Sequence, residues 1–205
     1  IKVQVVEAPK TGIPYAREAQ ALRALGLELR PTLILTFGAS YYDMSIPEQR
    51  AAFEDMADKF LDLVFTYRAN AFVPGTGTPA TAILARKYHE RLKKEGLEEK
   101  KERPRIVAIE PGGSLFYPKN EHIDKRKQDE QGRHNEIFPA AGFDTIATQY
   151  PAGWGLDGDF MTYIMHLHLR HGIVRRSVGG LDVPVAGVNG GMWSAVEHET
   201  AVYDN

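Results

Sequence analysis

No cysteine occurs among the 205 residues. Disulfides, a thiolate nucleophile and any Cys-based zinc or iron–sulfur centre are therefore excluded. A reducing compartment is compatible with that absence, and a cytoplasmic location is the expectation. No apolar run approaches the roughly 20 residues a membrane-spanning helix needs, and no signal-peptide pattern is visible. An excess of one charge is missing too: 25 Lys and Arg stand against 27 Asp and Glu, a formal net charge of −2. There is no broad basic field to gather nucleic acid or an anionic membrane surface, so neither is an expected partner. The chain begins at Ile1 rather than Met, which fits an excised domain or a processed form, and a fused or partner effector domain belongs to that expectation.

What is present is ordinary globular composition, 43% apolar and 25% charged, with length for one well-buried α/β domain. Residues 2–7 read as a short strand and residues 14–27 as a helix ending at Gly26, together an amino-terminal strand–helix extension over 1–29. Thr32–Phe37 is a continuous apolar strand. Ser45-Ile-Pro-Glu48 has the spacing of a capping box with proline in the first turn. Behind it Phe53, Met56, Ala57, Phe60, Leu61 and Val64 recur at helical spacing. Further strands are expected at 69–73, 105–110, 143–149 and 183–188, and helices at 80–94, 159–171 and from 191 through Tyr203. The stretch 96–105 reads as a solvated face whose acids cancel its bases. Residues 117–136 are polar and aperiodic, a long surface loop. Repeated strand, glycine turn and helix favour a parallel sheet covered on both sides. The fold class is therefore α/β, a single Rossmann-like three-layer α/β/α domain over 1–205 with a mainly parallel sheet.

Three strands run into glycine-containing turns: Gly38-Ala39-Ser40, Gly75-Thr76-Gly77-Thr78 and Asn189-Gly190-Gly191. In a parallel sheet such turns share the carboxyl edge, where helix starts offer unpaired N–H groups and the positive dipole end. Side by side they would make a crevice for phosphate or a nucleotide, although any one of them read alone is a tight turn. Gly75–Ala80 also matches G-x-G-x-x-A, but the acid expected about 20 residues on falls in a charged surface stretch. In the last segment Ser194 and Glu197 lie one helical turn apart. The hydroxyl would hold phosphate and the carboxylate a ribose hydroxyl, or the acid simply complements the helix dipole; spacing alone leaves the two level. Glu110 ends a strand at the same edge and either caps a loop or touches ribose. Tyr41 and Tyr42 either wall a base or pack. His166, His168 and His171 lack metal-ligand spacing, and no metal site is expected.

Gly190-Gly191-Met-Trp193-Ser194-Ala-Val-Glu197 resembles the PGGxGTxxE motif of the SLOG superfamily, the Rossmann-like group that contains the LOG (lysine-decarboxylase-like) phosphoribohydrolases. Thr36–Ser40, Pro74–Gly77 and Ala108–Pro111 resemble that group's earlier strand endings. Trp154-Gly155 with Asp157 and Asp159 resembles the prokaryotic LSDAT branch, related to the SLOG domain of TRPM channels. The resemblance spans about 30–205. It implies a site for a nucleotide or ADP-ribose-like ligand, with Gly38, Ala39, Ser40, Gly75, Thr76, Gly77, Thr78, Gly190, Gly191 and Ser194 on phosphate. Glu197, Asp157 and Glu110 would serve ribose, Trp154 is among the implied ligand-binding residues, and Trp193 would either crowd the pyrophosphate turn or stack on a base. It also implies a homo-oligomer. Trp193 stands where LOG enzymes carry glycine, and the LOG arginine has no clear counterpart beyond Arg170, Arg175 or Arg176. Two functions follow from the resemblance: a binding or sensing domain for a nucleotide-derived ligand, and an N-glycosidic hydrolase with Glu197 catalytic; the Gly75–Ala80 fingerprint separately leaves an NAD(P)-dependent oxidoreductase open. No resident cofactor is implied beyond the bound nucleotide itself.

Overall fold

Alternation along the strands decides how this molecule is layered. The structure is a computed structural model that describes residues 3–6, 23–27, 30–37, 43–74, 79–111, 143–148, 173–174, 185–187, 195, 198–199 and 202. Its strands are β1 (Val3–Val6), β2 (Thr32–Thr36), β3 (Asn70–Pro74), β4 (Arg105–Pro111), β5 (Asp144–Thr148) and β6 (Val185–Gly187). They form one six-stranded sheet in the order β1-β5-β4-β3-β2-β6. Every neighbouring pair is parallel.

Successive side chains on a strand point to opposite faces. Leu35, Ala71, Val73, Ile106 and Ala108 bury themselves on one face, with α1 (Pro47–Thr66) and α2 (Pro79–Lys94) packed over them. Ile34, Phe72, Val107, Ile109 and Ile146 bury themselves on the other, against Leu25, Ile173 and Val174. Burial on both sides is why these strands read as continuous apolar runs. Helical residues cover both faces, which makes the Rossmann-like three-layer α/β/α arrangement.

Crossover handedness explains which segment lies where. β2 to β3 and β3 to β4 step in one direction along the sheet, and their helices α1 and α2 share a face. β1 to β2 and β5 to β6 step the opposite way. A right-handed crossover must then cover the opposite face, and the intervening Leu25, Ile173 and Val174 do lie there.

The apolar periodicity of α1 is realised. Phe53, Ala57, Phe60, Leu61 and Val64 are buried, as is Phe65, which lies outside the expected pattern. The Phe53 ring meets Phe37, just past β2, at a centroid distance of 5.6 Å. The expected capping box does not form. Ile46, not Ser45, is the N-cap, and no side chain caps the helix. The cause is Pro47: the residue before a proline is driven out of the helical region, and Ile46 is extended at φ −89°, ψ 114°. Ser45 instead donates from its N–H (2.9 Å) and hydroxyl (2.6 Å) to Asp43 Oδ1. Those hydrogen bonds hold the Asp43 carboxyl below its ordinary range.

Arg105 corrects a second expectation, that 96–105 is a solvated face throughout. Its side chain is only 16% exposed. It donates to the carbonyl of Leu25 at 2.7 Å and lies 3.6 Å from Asp144, because a residue that starts an inner strand is enclosed by its neighbours. The helix expected over 159–171 with its histidines, Tyr41, Tyr42 and the loop expected over 117–136 lie outside the described residues. Among the described residues no helix is long and apolar enough to cross a membrane.

Candidate functional site at the carboxyl ends of β2 and β6

All six strands point the same way, so their carboxyl ends share one edge. The ends of β2 and β6 are level in register, Thr36 with Gly187, as are those of β4 and β5, Pro111 with Thr148; β3 ends at Pro74 opposite Ile109, two residues short of the end of β4. Open α/β sheets bind ligands where neighbouring strands send the chain to opposite faces, because the diverging connections leave a crevice between them. β2 and β6 are such a pair. β2 continues to α1 on the first face. After β6, His198 lies against Gly187 and near Thr36, and these share the second face with Ile34 and Val185 by strand alternation.

The geometry around His198 is close. A Cβ built on Gly187 would sit 2.6 Å from its Nδ1, 2.9 Å from Cε1 and 3.2 Å from Cγ. Any side chain there would displace the ring, so position 187 holds glycine for a close approach. Nδ1 also lies 3.4 Å from the Oγ1 of Thr36, a residue with 1% of its surface exposed. His198 itself is partly buried.

Neither Gly187 nor His198 belongs to a motif that the sequence marks as a site. The signal that reveals them is an isolated glycine inside a strand pattern, which marks a place where another group comes close. Of the residues singled out from sequence, Glu110 is the penultimate residue of β4, in register with Ala147. Gly38, Ala39, Ser40, Gly75, Thr76, Gly77 and Thr78 lie outside the described residues, as do Trp154, Asp157, Gly190, Gly191, Trp193, Ser194 and Glu197. The strands that precede the three glycine turns in the chain, β2, β3 and β6, are adjacent in the order β3-β2-β6. Among the described residues no three His, Asp or Glu side chains are grouped to hold a metal ion.

Comparison with known proteins supplies no family: no protein-family model matches the chain, and no curated protein matches it.

Proposed function

We propose that this chain is a binding domain for a nucleotide or nucleotide-derived ligand, of the ADP-ribose, NAD-metabolite or nucleoside-phosphate class, taken at the carboxyl edge between β2 and β6. The observation that carries the reading is the switch point itself, with strand ends level at Thr36 and Gly187 and connections leaving for opposite faces. The sequence follows β2, β3 and β6 with Gly38–Ser40, Gly75–Thr78 and Gly190–Gly191. Backbone N–H groups in such turns, with the hydroxyls of Ser40, Thr76 and Ser194, suit phosphate oxygens. Glu197, Asp157 and Glu110 suit ribose hydroxyls, and Trp154 and Trp193 offer flat surfaces to a base. The SLOG resemblance supports the same reading and adds a homo-oligomer.

A second reading is hydrolysis of a nucleotide N-glycosidic bond, with Glu197 stabilising an oxocarbenium-like centre and orienting water.

The test is calorimetric titration of the whole chain with ADP-ribose, NAD and AMP, alongside mass spectrometry of any co-purifying ligand. Saturable binding without base release is expected, weakened at least tenfold by Gly191→Val, since a Cβ at such a turn blocks the approach of phosphate. Base release abolished by Glu197→Gln would instead establish the hydrolase. Absence of any binding or co-purifying nucleotide would overturn both.

A further inference from the structure

Gly187, the exposed last residue of β6, leaves its side-chain space to the His198 ring. The ring is also oriented. The atoms nearest the absent Cβ are Nδ1, Cε1 and Cγ, so the Nε2–Cδ2 edge is the one turned away from the strand. Nδ1 sits beside the Thr36 hydroxyl. Where the Thr36 hydroxyl donates to Nδ1, the ring proton sits on Nε2, and an Nε2–H donor suits a phosphoryl oxygen.

We propose that His198 is a ligand-contacting residue, seated by Gly187 and steered by Thr36, whose Nε2 donates to a phosphate group held at the β2–β6 crevice. This rests on the binding reading above and adds to it a specific donor. The experiment uses the whole chain, with ADP-ribose, AMP and inorganic phosphate as separate probes. His198→Ala is expected to weaken nucleotide binding at least tenfold, the scale of one lost hydrogen bond to a charged group. His198→Gln, whose amide nitrogen reaches the Nε2 position, restores most of the affinity. His198→Asn, which reaches only the Nδ1 position, does not. Gly187→Ala reproduces the loss with the histidine intact. Wild-type affinity in His198→Ala, or rescue by Asn rather than Gln, overturns the proposal.

A measurement on the wild-type chain covers the case in which a variant fails to fold. The imidazole nitrogen resonances of His198 are followed by NMR during titration with inorganic phosphate, and a saturable shift at Nε2 is expected. Nucleotide binding with unmoved His198 resonances overturns the role of His198 and leaves the binding reading standing. A saturable shift with phosphate, but no nucleotide binding, does the reverse. Neither response overturns both.

Discussion

Among the described residues, the two ends of the sheet carry different contacts. At the amino end, hydrogen bonds tie distant segments together. Arg30, just before β2, donates to the carbonyls of Glu102 (3.0 Å) and Arg103 (2.9 Å), ahead of β4. Arg105 reaches back to Leu25, the Asn70 N–H meets the carbonyl of Pro31 at 2.8 Å, and the Tyr88 hydroxyl donates to the carbonyl of Pro104 at 2.8 Å. At the carboxyl end of β2 and β6 the described contacts are instead a glycine yielding its side-chain space and an imidazole near a threonine hydroxyl. One end closes the fold through hydrogen bonds that span the sequence. The other, among the described residues, holds an imidazole ring in the space left by a glycine. Stability and ligand chemistry are then separable: changes at the amino end should move the melting temperature and leave affinity alone, and changes at Gly187 or His198 should do the opposite.

The largest effect expected at the amino end is from Arg105→Met. It removes a charged donor from the Leu25 carbonyl and from partly buried Asp144, at a cost of about 2–3 kcal/mol. For a chain of this size that lowers the melting temperature by roughly 5–10 °C. A loss of ligand affinity matching the loss of stability would break the comparison. Tyr88→Phe comes next, at about 1–2 kcal/mol, since it strands the buried Pro104 carbonyl. Burial also pushes the Tyr88 phenol up to about 12. Its folded pKa lies above the unfolded value near 10, so the neutral form's contribution is complete below about pH 10 and is lost as pH rises through about 12. Wild-type chemical unfolding midpoints should fall across that window, and the Tyr88→Phe protein should fall less steeply.

Much of this architecture is legible in the residues themselves. Phe53 through Val64 announce α1 by their spacing, and the apolar runs at 32–37 and 105–110 announce inner strands, because both depend on local periodicity. What stays hidden depends on partners far along the chain. Nothing near Val3 says that β1 pairs with β5. The acids around Arg105 suggest a solvated stretch, whereas its partner Leu25 lies 80 residues away. The capping-box spacing at Ser45 is a true local pattern overridden by a stronger local rule, the restriction Pro47 places on Ile46. Gly187 lies between these cases: a glycine ending an apolar strand is visible in the sequence, but the histidine beside it is not.

The smallest effect expected sharpens the comparison from the stabilising side. α1 and α2 both end at the amino edge in the same motif. After α2, the Leu97 N–H bonds the Leu92 carbonyl at 2.9 Å and the Gly96 N–H bonds that of Lys93 at 3.1 Å, with Gly96 at φ +64°. After α1, the Ala69 N–H bonds the Val64 carbonyl at 2.9 Å and the Arg68 N–H bonds that of Phe65 at 3.3 Å. The left-handed position there is Arg68, at φ 48°. An L-residue in that conformation is strained by roughly 1–2 kcal/mol. Glycine removes the strain but adds unfolded-chain entropy, which costs about 0.4–1 kcal/mol. The difference favours Arg68→Gly by about 0.5 kcal/mol, a rise of one or two degrees in melting temperature. Affinity for any ligand at the opposite edge should not change. A destabilised Arg68→Gly protein would mean that the arginine side chain contributes more than its backbone strain costs, and that the amino edge is held by still more than the ties described above.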